Sequence, residues 1–187
     1  MTNGLLLRVF VYGTLKRGYW NHEPYCRGAL SIEPCVVRGR LYRRHTGTPI
    51  LSVPKELVLA DGTGDLAFDL ENTRRLEDTF PANNSAPKEA ASERWLDVAG
   101  ELLTFSDGPK RLARLDELEE YLPAKGDGSL YRRVLISTTA QQPVLAWTYV
   151  IPQHRSPSFY DIPQDPQMWR AECELTLEQR RARGIGR

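Results

Sequence analysis

Few of the features that announce a function outright are present in this chain. Only 3 of its 187 residues are cysteine. Cys26, Cys35 and Cys173 are odd in number, widely spaced and form no CxxC pair, so they read as reduced thiols rather than a disulfide framework. Histidine is as scarce, and His22, His45 and His154 show no HxxxH or HExxH spacing. No structural or catalytic metal is therefore expected. An excess of one charge is also missing: 25 basic residues face 24 acidic ones, a formal net charge of +1. That balance provides no general pull toward nucleic acid or an anionic membrane surface. No apolar run is long enough to span a bilayer. The run Leu5-Leu6-Leu7, with no basic segment before it, does not read as a secretory signal. A cytoplasmic location is expected, where the Asn83-Asn84-Ser85 pattern carries no glycan. Neither an internal repeat nor a heptad run is found.

What is present is enough chain for one domain with a core. Arg8–Tyr12 reads as a short buried strand ended by Gly13, and Asn21–Arg27 as a helical turn capped by Asn21. Gly28–Arg44 reads as extended, with Gly39 marking a bulge or bend, and Pro49–Pro54 as another short extended piece. Asp61–Asp65 is turn-like; its Asp-Gly pattern lacks the EF-hand's closing Glu and predicts no calcium site. Asp69–Thr79 fits a polar helix, and Pro81–Pro87 a loop. Asp97–Phe105 is a strand, and Ser106–Pro109 has the chemistry of a helix start, with Pro in the first turn. Lys125–Ser129 reads as a loop. Leu130–Thr138 and Pro143–Ile151 are strands joined through Ala140–Gln142 as a hairpin. Glu174–Arg183 fits a short terminal helix with Thr176 and Gln179 spaced as a capping box. Strands outnumber helices and follow one another without helical crossovers. This predicts an α+β domain: a mainly antiparallel sheet or small barrel with one or two helices packed on it.

One carboxylate stands out. On a helical wheel at about 100° per residue, Leu112, Leu115 and Leu122 form an apolar stripe, and Glu119 falls inside it. Glu117 and Glu120 project elsewhere, and Asp116 sits at the stripe's edge, placed to cap or pair. An ionised carboxylate on a core-facing stripe costs several kcal/mol unless compensated. Two readings stay open. Glu119 pairs with Arg132 or Arg133 from the following strand, or it is a desolvated general acid/base with a raised pKa.

The second candidate is Val11-Tyr12-Gly13-Thr14-Leu15-Lys16-Arg17-Gly18. Here a strand enters a Gly turn that can bring successive N–H groups to face one point, an anion nest. The spacing of Gly13 and Gly18 imitates a P-loop, but Tyr19-Trp20 stands where Lys-Ser/Thr is required, so nucleotide binding is not expected. The alternative is an ordinary strand-ending turn. A third group is aromatic. Alternation along Val144–Val150 places Leu145, Trp147 and Tyr149 on one sheet face, and Tyr131 opens the preceding strand. Core packing accounts for Trp147; Tyr131 and Tyr149 remain open.

Several motifs occur in one order: Val9–Gly18 with Asn21-His22 close behind, Val37-Arg38-Gly39-Arg40-Leu41-Tyr42, Ala99-Gly100-Glu101-Leu102, Leu115-Asp116-Glu117-Leu118-Glu119 and Tyr131-Arg132-Arg133-Val134. This order resembles the γ-glutamylcyclotransferase-like superfamily, and more closely the branch with γ-glutamylamine cyclotransferase and the plant AIG2-like proteins. It spans about Arg8 to Ile151, apart from Lys55–Leu96. The resemblance implies a small, mostly antiparallel β-barrel with flanking helices over residues 1–152. Residues 55–96 would form an inserted loop region and 153–187 a C-terminal extension.

It also implies an activity: cyclising the γ-glutamyl group of a small γ-glutamyl amine or amide to 5-oxoproline with release of the amine, without a cofactor. In that family the Tyr-Gly-Ser/Thr-Leu loop offers backbone N–H groups to substrate, which maps onto Tyr12, Gly13, Thr14 and Leu15. The catalytic Glu of the Leu-Asp-x-x-Glu motif maps onto Glu119, and pocket tyrosines map onto Tyr131 and Tyr149. The expected partner is the small γ-glutamyl substrate, with no nucleic acid and no membrane; the oligomeric state is not readable. Two departures stand out: Glu120 occupies the position where the family carries Gly, and a long segment precedes Gly100. A catalytically silent small-molecule sensor of the same fold, or an enzyme using the pocket on another amine or amide, is the alternative.

Overall fold

Alternation along the strands and the turn residues between them build a ring. The computed structural model describes residues 5–44, 47–80, 95–124, 129, 131–140, 142–151, 160–161 and 168–169. Its elements in chain order are β1 (Leu7–Val11), α1 (His22–Cys26), β2 (Ser31–Arg43), β3 (Pro49–Ser52), a 3-10 turn (Lys55–Leu57), β4 (Val58–Asp61), α2 (Leu66–Thr79), β5 (Leu96–Phe105), α3 (Gly108–Leu118), β6 (Arg132–Thr139), β7 (Pro143–Val150) and β8 (Tyr160–Asp161).

Five strands close the barrel. β1 pairs antiparallel with β5 from Leu7↔Phe105 to Val11↔Glu101, and β5 with β2 from Ser31↔Thr104 to Gly39↔Leu96. β2 meets β6 at Val36↔Thr139, and β6 pairs with β7 from Arg132↔Val150 to Thr139↔Pro143. β7 then returns to β1 in parallel at Val9↔Trp147. Closure leaves no free edge within the ring. β3 and β8 extend it along β2, and β4 along β6. The expected α+β barrel with flanking helices is the fold observed.

Period-2 alternation sorts the side chains into two cores. One draws on the strands without any helix residue: Phe10, Cys35, Val37, Val98, Leu102, Val134, Ile136 and Ala146 fill the barrel. The other lies outside it. There Val9, Leu103, Leu135, Leu145 and Trp147 meet Leu70 of α2 and Leu112 and Leu115 of α3. Burying Leu112 and Leu115 contributes about 1.5–3 kcal/mol each, enough to fix which face α3 turns inward.

Three expectations need correction. Gly39 is neither bulge nor simple bend: β2 hands over there from β5 to β3, whose ladder begins at Arg40↔Ser52. A β-carbon on residue 39 would lie 2.7 Å from the Ser52 carbonyl oxygen, so the crossing needs glycine. The described part of the 55–96 segment is not loop. It supplies β4 and α2, and the Asp65 carboxylate caps α2 by accepting from the Phe68 N–H at 2.9 Å. The apolar stripe does not reach Leu122, because α3 ends at Leu118 and Leu122 is exposed. The expected loops at 81–87 and 125–128 and the terminal helix at 174–183 lie outside the described residues.

Candidate active site

Glu119 is the C-cap of α3, its N–H still bonded to the Leu115 carbonyl at 2.9 Å. The chain then turns sharply. Glu120 has φ +51°, its N–H reaches the Glu117 carbonyl at 3.3 Å, and the Tyr121 N–H reaches back to Asp116 at 2.9 Å. This is a Schellman ending, in which the left-handed position favours glycine. The departure at Glu120 therefore falls where the backbone itself asks for Gly.

The two candidate arginines are taken elsewhere. Arg132 pairs with Asp61. Arg133, fully buried, pairs with both Asp69 and Asp116 and donates to the Thr63 carbonyl at 2.9 Å. The ion-pair reading of Glu119 with either arginine is therefore set aside; Asp116 is the residue of α3 that pairs. Tyr149 also donates to Asp116, at 2.7 Å. Burial raises the Asp116 carboxyl above the usual carboxylate range, opposed by Arg133 and by the Tyr149 hydrogen bond.

Glu119 instead lines a cavity of about 310 Å³ beside Tyr12, Gly13, Thr14, Leu15, Tyr131 and Tyr149. Each expected site residue is thus on one wall or another of a single concavity, of a size that suits a small ligand. Burial pushes the Glu119 carboxyl up from 4.5 to about 7; the Arg44 guanidinium pulls it down and the Glu120 carboxylate adds to the rise. Its side chain is only half-buried, open by way of the cavity it lines. Protein crowds the carboxylate without closing it off from a ligand.

The loop after β1 is held from several sides. Gly13 does not adopt a left-handed φ among the described residues. Its need for glycine is one of space, since a β-carbon there would lie 2.6 Å from Pro49 Cγ. Asn21 stands at the N-cap of α1, but the expected side-chain cap is not formed; it donates instead to the Thr14 hydroxyl at 2.9 Å. His22 Nδ1 is 2.8 Å from the Leu15 carbonyl, which it meets as donor. The Arg17 N–H bonds Glu101 of β5 at 2.8 Å, and Lys16 Nζ donates to the Trp169 carbonyl at 2.7 Å. The backbone N–H groups of Gly13, Thr14 and Leu15 donate to no partner among the described residues. Three successive donors at a cavity wall, without partners among the described residues, are the makings of an anion nest.

The tyrosines brace the walls. Tyr12 donates to the Tyr149 carbonyl at 2.7 Å, and Tyr131 to the Pro49 carbonyl at 3.4 Å. Burial raises all three phenols, so they stay protonated donors. Sequence reasoning missed Trp20, Arg44, Thr48 and Pro49, which also line the cavity. It missed Trp169 too, a buried residue whose indole donates to the Gly47 carbonyl at 3.3 Å while its own carbonyl holds Lys16, linking two cavity loops. Only Pro49, in an extended piece, gave any prior sign, and nothing in the local pattern pointed to Arg44.

A family model described as gamma-glutamyl cyclotransferase, AIG2-like, matches residues 9–76 and 69–171. The chain belongs to this family. The AIG2-like match takes in residues 55–76, outside the motifs that carried the resemblance, and continues past Pro152 to residue 171. Among solved structures, an AIG2-like protein from Mus musculus is 19% identical, covering 87% of this chain and 93% of its own, with a TM-score of 0.43. An uncharacterised protein from Pyrococcus horikoshii is 20% identical, covering 83% and 85%, with a TM-score of 0.42. No curated protein matches.

Proposed function

We propose that this AIG2-like chain cyclises the γ-glutamyl group of a small γ-glutamyl amine or amide to 5-oxoproline, with Glu119 as general acid/base. The observation that carries this reading is Glu119 itself: a carboxylate at a cavity wall, paired with neither Arg132 nor Arg133 and raised by burial to about 7. A residue of that pKa both takes and gives a proton near neutral pH.

The substrate arrives with an α-ammonium, which cannot attack. Glu119 removes one proton. The freed amine then attacks the γ-carbonyl carbon of the same molecule, forming the C–N bond of a five-membered ring. Negative charge gathers on the carbonyl oxygen, where the N–H groups of Gly13, Thr14 and Leu15 stabilise it. Collapse breaks the γ-amide bond as the proton held by Glu119 goes to the leaving nitrogen. The second proton, left on the ring nitrogen by the attack, passes to the freed Glu119 carboxylate and on to the amine, which departs as an ammonium beside neutral-ring 5-oxoproline. The attack is intramolecular, so the protein's task is to hold the bent conformer. The bracing of the loop by Asn21, His22, Glu101 and Trp169 suits that task, because a preorganised donor set pays no reorganisation during the reaction.

The test is to incubate the chain with γ-glutamyl amines and γ-glutamyl dipeptides and to quantify 5-oxoproline. Its release is expected from at least one class. Saturable binding without release would favour a sensor of the same fold.

A further inference from the structure

A γ-glutamyl substrate brings two charges on one carbon, the α-ammonium and the α-carboxylate. The reading above gives the first to Glu119 and leaves the second unassigned. The cavity makes that a real problem. Among its lining residues Glu119 and Glu120 are both carboxylates, and an incoming carboxylate facing them would be repelled. Arg44 is the one Lys or Arg among those lining residues.

Its placement fits the role. Arg44 follows the end of β2 at Arg43 and lines the same cavity as the loop after β1. Its backbone is held at both ends: the Arg44 N–H donates to the Thr48 carbonyl at 2.9 Å and the Arg44 carbonyl accepts from the Gly47 N–H at 2.8 Å. The Trp169 indole holds Gly47 from behind. In front, Arg44 shares a side-chain hydrogen bond with Tyr131, whose hydroxyl lies 3.4 Å from the Pro49 carbonyl. Among the described residues Arg44 forms no salt bridge. Among the described residues the guanidinium is thus not locked in a salt bridge, while it is near enough to Glu119 to be the strongest charge opposing that residue's rise. Guanidinium is also the cation best matched to a carboxylate, which it binds through two parallel N–H donors.

We propose that Arg44 is the specificity-determining residue that binds the substrate's α-carboxylate, so that the cavity selects an amino-acid head carrying both charges. This rests on the γ-glutamyl reading above. The groups that receive the two charges must be neighbours, because the charges share one carbon. Arg44 and Glu119 meet that requirement: both line the one cavity, close enough for the guanidinium to act on the carboxylate. The loop N–H groups are then left for the γ-carbonyl oxygen, and Arg44 sets which carbon the freed amine hangs from.

The experiment compares a γ-glutamyl amine with its counterpart in which the α-carboxylate is a carboxamide. Binding is measured by calorimetry in the Glu119→Gln background, so that turnover does not intrude, with Arg44 intact and as Arg44→Met. With Arg44 the carboxylate ligand is expected to bind about 10–100-fold more tightly than the carboxamide, the span of a hydrogen bond to a charged group. In Arg44→Met that preference disappears while carboxamide affinity stays. Arg44→Lys, which keeps the charge but not the fork, retains part of the preference and covers the case in which the Met variant does not fold. A preference undiminished in both variants, or no binding of either ligand, overturns the proposal. A change in Glu119's proton affinity alone would not separate the two ligands. Wild-type 5-oxoproline release is followed in parallel. An Arg44-dependent preference without release keeps the carboxylate site and ends the catalytic reading; release with an Arg44-independent preference does the reverse.

Discussion

Helix α3 turns two carboxylates inward, and they have opposite surroundings. Asp116 is gripped by Arg133, which also holds Asp69, and accepts from Tyr149. Glu119, one turn later, forms no salt bridge among the described residues and faces a cavity, with Arg44 as its opposing charge. Both are pushed upward by burial. Desolvation alone therefore does not identify a functional acid; the presence or absence of a buried cation, and of space for a ligand, separates a structural carboxylate from a chemical one. The Asp69–Arg133–Asp116 cluster ties α2, α3 and β6 together, and that bracing positions Glu119 beside the loop after β1.

The contrast is open to attack at both ends. The largest effect is expected from Glu119→Gln, a fall of about 10²–10⁴-fold in 5-oxoproline release, measured with the melting temperature on the same samples. Glu119's folded-state value of about 7 lies above its ordinary 4.5. The folded protein thus holds an extra proton between those values, and stability falls as pH rises through that window. Glu119→Gln removes this dependence and leaves the protein at least as stable as wild type above neutral pH. A lower melting temperature would mark Glu119 as structural.

Arg133→Met is expected to do the reverse. It strands Asp69 and Asp116 without their cation and costs about 3–5 kcal/mol in denaturant unfolding. Loss of release without loss of stability would erase the distinction between the two carboxylates. The smallest effect is expected from Glu120→Gly. Relieving a left-handed non-glycine residue stabilises by about 1 kcal/mol. Removing its charge also lowers the Glu119 pKa, moving the acidic limb of the pH–rate profile to lower pH. An unmoved limb would mean that Glu120 does not act on Glu119.

Much of this was legible beforehand, for local reasons. Leu112 and Leu115 define the inward face of α3 well enough that Glu119's direction follows from phase, even though the helix ends one residue earlier and Leu122 lies outside. The strands β1, β5, β6 and β7 show in their alternation and in the turns that bound them. What stayed hidden depends on tertiary placement. β4 is short, with alternating half-buried and exposed residues, and gains its strand form from pairing with β6. Asp69 looks like any surface acid of a polar helix until Arg133 arrives from β6. Arg44 reaches the site only because β2 changes partners at Gly39 and delivers its end beside the loop after β1. Trp169 is read as tail until both cavity loops are seen to bond to it.

The central claim is that Glu119 titrates near neutrality and that this titration sets the rate. The direct measurement is a carbon-13 NMR titration of the Glu119 carboxyl beside the pH dependence of kcat/KM for 5-oxoproline release. The predicted result is a carboxyl midpoint near 7 that coincides with the rising limb of the rate. A midpoint near the ordinary 4.5, with a rate that does not follow it, would contradict the account.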